Sequence, residues 1–311
     1  MNLVFMGTPD FAVPALHALI KAGHTVSGVF CQPDRPKGRG HKLTPPPVKE
    51  AALTYDIPVY QPDSVKTPEV LAQLKELNPD CIVVVAYGKL LPQSILTLPR
   101  YGCVNIHASL LPNYRGAAPI QWSVLNGDAV TGVTTMKMDI GMDTGDIFLQ
   151  KEFPIPPNMT SGELFDALSP LGGELIVETL VALEAGTLTA TPQNHDDATH
   201  APMLDRSLSL LDFALPAKEL HNRIRGLNPW PSAKTVLNGT PIKVHASEIV
   251  GECKGQSGEL LDEKQLIVCC GDGVALRLTQ VQAEGSRRMT DEELLRGHPA
   301  EKGTLLSKGT L

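Results

Sequence analysis

The chain has no long apolar run, no basic opening segment and no overall positive charge, and each absence excludes a class of protein. No stretch of its 311 residues approaches the roughly 20 apolar residues of a membrane helix. The opening MNLVFMGTPDF lacks the charged start and apolar core of a secretion signal. A cytoplasmic protein without membrane association is therefore expected. A net charge of −7 argues against a generally basic coat for nucleic acid. Six cysteines, at positions 31, 81, 103, 253, 269 and 270, include no CxxC pair, and several sit in apolar strand-like runs. They read as reduced, buried thiols. No metal site is expected, since His107, His195 and His200 have no ligand spacing with these cysteines. The first turn, MGTPDF, lacks GxGxxG, which argues against a bound nicotinamide or flavin. Ser109 begins SLLP rather than a G-x-S-x-G elbow, which argues against a serine hydrolase. Internal repeats and low-complexity tracts are also missing.

What is present points to two domains, as the length suggests. The strand-like LVFMGT leads into a helical PDFAVPALHALIKAG, and HTVSGVFCQ reads as a second strand. VKEAALTYD and TPEVLAQLKELNP read as helices, the second started by Thr67 and Pro68. DCIVVVAYG is nearly all apolar, as a central strand covered on both faces should be. Strands alternating with such helices predict an α/β fold, a Rossmann-like, doubly wound, mostly parallel sheet. VTTMKMD and DIFLQKEFPI form a hairpin, and SGELFDALSPLGGELIVETLVALEAG reads as two helical segments. The polar stretch TLTATPQNHDDATHAP has no apolar period and reads as a linker. Beyond it lie one helix, PAKELHNRIRGL, and short strand candidates: SGELLDE, KQLIVCCGDG, VALRLTQVQAEG and a pair turned at Asn238-Gly239. They predict a C-terminal small antiparallel β-barrel of OB-like type. The expected division is a catalytic domain over 1–188, a linker over 189–206 and the barrel domain over 207–311.

The chemistry concentrates in VNIHASLLPNYRGAAP (104–119) and MDIGMDTGDI (138–147). Asn105 and His107 lie two residues apart behind an apolar run, where strand ends meet the ligand crevice of an α/β fold. Asp143 comes from a glycine-punctuated loop. Taken singly, these read as a turn amide, a loop histidine and a turn-stabilising aspartate. Together they suit transfer of a carbonyl group to an amine. The amide donates to a developing oxyanion, the imidazole moves protons, and the carboxylate sets the ring's tautomer and stabilises its charged form. A second feature runs against the local charge: residues 1–199 carry 13 Lys and Arg against 20 Asp and Glu, yet QPDRPKGRGHKLTPPPVK (32–49) holds five bases against Asp34 alone. Such a loop reads either as a grip on phosphate or as a solvated insertion.

These residues resemble a known family, the methionyl-tRNA formyltransferases. The likeness rests on Asn105, His107 and Asp143, on HASLLPNYRGAAPI, on the GTPDFA start, on the QPDRPKGRGHKL loop and on NPWP at 228–231. It spans nearly the whole chain. The Asn/His/Asp set with SLLP is shared by the wider folate-dependent formyltransferases, so it marks the chemistry rather than the acceptor. The resemblance implies that 10-formyltetrahydrofolate donates a formyl group to the α-amine of methionine on initiator methionyl-tRNA, for translation initiation. It implies catalytic roles for Asn105, His107 and Asp143. It puts Ser109, Leu110, Leu111, Pro112, Ala86, Tyr87, Gly88 and Asp139 around the folate, and Arg35, Arg39, Lys42 and Arg206 on tRNA, with Arg39 at the acceptor stem. A monomer is expected. The chain departs from the family where Met203, Leu210 and Phe213 replace the usual lysine, arginine and tryptophan, and where Pro170 should bend or end a helix. Two other readings stand beside this one. One is a folate-dependent formyltransferase acting on an amino-sugar nucleotide or another small amine; the other is a folate- or RNA-binding regulator without turnover.

Overall fold

The computed structural model describes residues 1–37 and 42–309. It divides into two compact units. The first comprises 1–119, 130–154 and 165–201; the second comprises 120–129, 155–164 and 202–311.

The first unit is built on a seven-stranded sheet. Its strands are β1 (Asn2–Gly7), β2 (Thr25–Phe30), β5 (Val59–Tyr60), β6 (Cys81–Val85), β7 (Cys103–His107), β9 (Val130–Lys137) and β10 (Ile147–Pro154), in the order β10-β9-β7-β6-β1-β2-β5. Strands β5, β2, β1, β6 and β7 run parallel, while β9 is antiparallel to both β7 and β10. The expected mostly parallel, Rossmann-like sheet is therefore present. Every residue of β6 and β7 is buried, as their apolar runs require. The helices are α1 (Val13–Lys21), α2 (Pro47–Leu53), α3 (Pro68–Leu77) and α4 (Gln93–Leu96). Thr67 caps α3 by accepting from the Val70 N–H, Pro68 occupies its first turn, and Asn78 ends it in the left-handed region.

Three expectations change here. The basic segment is a two-stranded ribbon, β3 (Arg35–Lys37) paired antiparallel with β4 (Lys42–Thr44), rather than a plain loop. Arg39 lies outside the described residues. The two helical segments expected after residue 160 form one 24-residue helix, α6 (Ser161–Glu184), and Pro170 does not end it. A proline removes a single N–H and leaves the surrounding backbone ladder to carry the helix on. The stretch expected as a linker is hydrogen-bonded into the first unit as far as Ala201. Thr191 exchanges both backbone bonds with Ile147, and β11 (His200–Ala201) pairs in parallel with β8 (Arg115–Gly116). Most of its side chains face water, but its backbone and the side chains of Gln193 and Thr199 make contacts within the unit.

The second unit holds α5 (Pro119–Leu125) from Ile120 on, the first turn of α6, and α7 (Ala217–Gly226). Its sheet has the order β12 (Ala233–Leu237), β13 (Thr240–Glu252), β15 (Val274–Ala283), β14 (Ile267–Cys269), with β16 (Met289–Thr290) also on β15, all antiparallel. Asn238 and Gly239 turn β12 into β13 with φ of 47° and 78°, the conformation that Asn-Gly favours. SGELLDE forms no strand of its own and contributes only isolated bridges at Glu259 and Leu260. Helix α8 (Asp291–Gly297) opens with a capping box between Thr290 and Glu293. Leu220, Ile224, Val244, Leu276 and Val281 meet in the core.

All six cysteines are free, and burial pushes the thiols of Cys31 and Cys103 up to about 11 and about 12. Among the described residues no helix is long and apolar enough to cross a membrane.

Two buried histidines of the second unit make its stability sensitive to pH. His221 sits between Ser247 and the Pro157 carbonyl; burial lowers its pKa and Arg225 adds to the effect, while the hydrogen bonds to Pro157 and Ser247 oppose it. For His245 burial lowers the pKa, and so do Arg288 and Lys243, while Gln282 opposes them. The folded form therefore binds protons more weakly than the unfolded chain, whose histidines titrate near about 6.5. Stability from this source is present above that pH and is lost on acidification through it. Calorimetry between pH 7.5 and 5.5 should show a falling melting temperature, and His245→Gln should flatten the slope.

Candidate active site

Strand β7 carries Asn105 and His107 on one face, because side chains two apart along a strand point the same way. On the opposite face Ile106 packs close against Gly172 of α6. Both polar side chains are buried, at 9% and 6% exposure, at the carboxyl edge of the parallel strands. Among the described residues, no group hydrogen-bonds the Asn105 amide, which leaves it available to a ligand. His107 Nε2 lies 2.9 Å from the Tyr114 carbonyl oxygen. A carbonyl only accepts, so Nε2 carries a proton and Nδ1 is the nitrogen whose protonation can change.

Asp143 reaches this ring from the loop between β9 and β10. Its Oδ1 stands 3.7 Å from His107 Nδ1, and its Oδ2 accepts from the Gly116 N–H at 2.8 Å. Of the trio that the sequence singles out, the structure brings His107 and Asp143 face to face. The ring's tautomer, expected to depend on Asp143, is held instead by Tyr114. Asp143 has φ of 54°, a left-handed conformation uncommon for a side-chain-bearing residue. Asp139 shapes the same loop by accepting from the Gly141 N–H and the Thr144 hydroxyl.

The other expected residues fall into distinct settings. Ala86 and Gly88 are exposed with φ of 45° and 81°, at the end of β6, while Tyr87 is buried between them. Ser109 is fully buried and donates its hydroxyl to the Asn113 carbonyl, so it closes a turn. Leu111 is buried, and Leu110 and Pro112 are partly exposed. Arg35 and Lys42 are exposed on the β3–β4 ribbon, and Arg206 is exposed on a short 3-10 turn of the second unit. Phe213 lies in that unit's core and Met203 is 79% exposed.

Sequence reasoning missed Tyr114, Arg115, Gly116 and Gln193. Arg115 stands within the run already singled out, but Gln193 lies in polar sequence that carries no local signal. Gln193 donates to the carbonyls of Asp143 and Gly145, and its own oxygen accepts from Arg115.

An unengaged amide, an imidazole of defined tautomer and a carboxylate at the carboxyl end of parallel strands are groups that can move an acyl-type carbon between nitrogens. The comparisons agree. The family model described as formyl transferase matches residues 1–180, and the formyl transferase C-terminal domain matches 203–299. The chain is thus an enzyme of the formyl-transferring class. A protein from Acetivibrio thermocellus named methionyl-tRNA formyltransferase is 48% identical over 99% of this chain and 100% of its own. One of the same name from Geobacter metallireducens is 48% identical over 98% of each. The chain belongs to the methionyl-tRNA formyltransferase family. Among solved structures, an N-formyltransferase from Helicobacter canadensis, in complex with folinic acid and dTDP-3-aminofucose, superposes with a TM-score of 0.68 over 90% of this chain and 98% of its own, at 22% identity. HypX from Aquifex aeolicus, in complex with tetrahydrofolic acid, gives 0.64 over 95% of this chain and 47% of its own, at 18% identity. Likenesses at that identity speak for the fold alone.

Asp143→Asn tests the carboxylate directly. An amide oxygen still accepts from Gly116, so the loop should hold, while the charge facing His107 is lost. Formyl transfer should fall by about 10²–10⁴-fold in kcat with little change in melting temperature.

Proposed function

We propose that the chain transfers a formyl group from 10-formyltetrahydrofolate to the α-amine of methionine carried on initiator tRNA. The observation that carries this reading is the 48% identity, from end to end, with proteins named for that reaction. The geometry of Asn105, His107 and Asp143 supplies a chemical basis. The Asn105 amide donates to the formyl oxygen as it gains charge. The Nδ1 edge of His107 takes the proton that the attacking amine must lose, Asp143 stabilises the imidazolium that results, and the same proton goes to the folate nitrogen as its bond to the formyl carbon breaks.

The residues around this trio fit a flat, partly apolar donor. Ile140 and Met142, on the Asp143 loop, are 75% and 59% exposed, an unusual display of apolar surface beside a polar site. Exposed Ala86 and Gly88 end a strand neighbouring β7 and leave backbone groups open to a ring edge. Ser109 and Leu111 serve this donor site by shaping its turn, since their side chains are buried; Leu110, Pro112, Tyr87 and Asp139 complete its border.

For the acceptor, Arg35 and Lys42 on the β3–β4 ribbon, together with Arg39, engage tRNA phosphates and the acceptor stem. Arg206 and the C-terminal unit hold tRNA elsewhere. Chemistry needs only the amine, so choice among tRNAs rests on contacts away from it.

A competition assay tests the proposal: labelled formyl donor, offered methionyl initiator tRNA, methionyl elongator tRNA and small amines. Initiator tRNA should take the label. A preference for a sugar amine would move the chain to the other formyltransferase reading, and tight tRNA binding without transfer would make it a regulator. Asn105→Ala should lower kcat by about 10²–10³-fold. Arg35→Ala with Lys42→Ala should instead raise KM for tRNA and flatten its salt dependence, with kcat nearly unchanged.

A further inference from the structure

The polar stretch around 190–201 is tied to the catalytic region at three places. Gln193 is 6% exposed. Its Nε2 donates to the Asp143 carbonyl at 2.9 Å and the Gly145 carbonyl at 2.6 Å. Its Oε1 accepts from Nε and Nη2 of Arg115 at 3.1 and 2.7 Å. Thr199 accepts through Oγ1 from the Tyr114 N–H at 2.8 Å, and its carbonyl accepts from the Arg115 N–H at 2.8 Å. Ala201 accepts from the N–H groups of Ala117 and Ala118, and its carbonyl lies so near Gly116 that a Cβ there would sit 2.8 Å away.

Each tie ends on a partner of a catalytic group. Tyr114, held by Thr199, presents the carbonyl that accepts the hydrogen bond from Nε2–H of His107. Gly116, paired with Ala201, presents the N–H that grips the Asp143 carboxylate. Gln193 holds the backbone of Asp143 itself in its left-handed conformation. We infer that residues 193–201 form a strap that sets the tautomer of His107 and the aim of Asp143, with Gln193 and Thr199 as positioning residues for formyl transfer. This rests on the trio having the catalytic role proposed above. Neither side chain touches the reacting atoms. They act by holding hydrogen-bond partners in place, and displacement of such groups by about 1 Å is enough to cost about a hundredfold in rate.

The test separates positioning from mere support. Thr199→Val keeps the shape and removes the acceptor for Tyr114, whereas Thr199→Ser keeps the hydroxyl. Gln193→Glu keeps an acceptor for Arg115 and removes both N–H donors to the loop. Thr199→Val and Gln193→Glu should each lower kcat about tenfold or more, with KM for methionyl-tRNA within about twofold of wild type. Thr199→Val should also move the pH midpoint of kcat, and Thr199→Ser should restore both. In protein carrying ¹⁵N-histidine, the His107 ring signals should report a proton on Nε2 in wild type and a mixture of tautomers in Thr199→Val. Should the valine variant not fold, Gln193→Glu carries the same test at Asp143. Variants that lose melting temperature while kcat, its pH profile and the ring signals stay at wild-type values overturn the strap. If the wild type fails to formylate methionyl-tRNA, the proposed function falls, and the ring signals still decide the strap.

Discussion

One hydrogen bond carries much of this active site: the Gly116 N–H to the Asp143 carboxylate, 2.8 Å long. Asp143 sits on a loop with a left-handed backbone, and a carboxylate on such a loop has no fixed direction of its own. The bond supplies that direction, and it depends on Gly116 being held by a two-residue ladder with β11. Glycine is required there: φ of 120° and the nearby Ala201 carbonyl leave no place for a side chain. The Asp143 carboxylate is thus aimed by backbone groups that have no chemistry of their own.

The other two members of the trio come from a rigid source. β7 lies between β6 and β9 with every residue buried, so Asn105 and His107 share the precision of a central strand. The site therefore joins an immovable half on the sheet to a half on loops. The loop half needs outside support, which the stretch after α6 provides. A strand end alone places an amide and an imidazole; the polar shell around it decides which imidazole nitrogen is open to a proton.

Much of the fold was legible because its signals are local. The continuous apolar run of β6, the Thr67-Pro68 start of α3 and the Asn238-Gly239 turn each follow from neighbouring residues. Readings failed where the deciding contacts are distant. Pro170 suggested a break, yet α6 runs through it. The 189–206 stretch suggested a linker, since polar side chains without period look the same whether the backbone is free or paired. SGELLDE looked like a strand and found only bridge partners.

Sequence alone gave the alternating α/β order and the antiparallel strands after it, and it singled out Asn105, His107 and Asp143 as the candidate chemical centre. Those properties live in short patterns of side-chain type and spacing, which chain order preserves. Tertiary structure decided which ring nitrogen of His107 faces Asp143, which N–H aims that carboxylate, and that Gln193 and Thr199 stand behind both. Those are hydrogen bonds spanning from 7 to 85 positions, each with one partner a backbone atom common to every residue. Side-chain identity cannot announce them, because a peptide group carries no sequence signature until the fold gives it a partner.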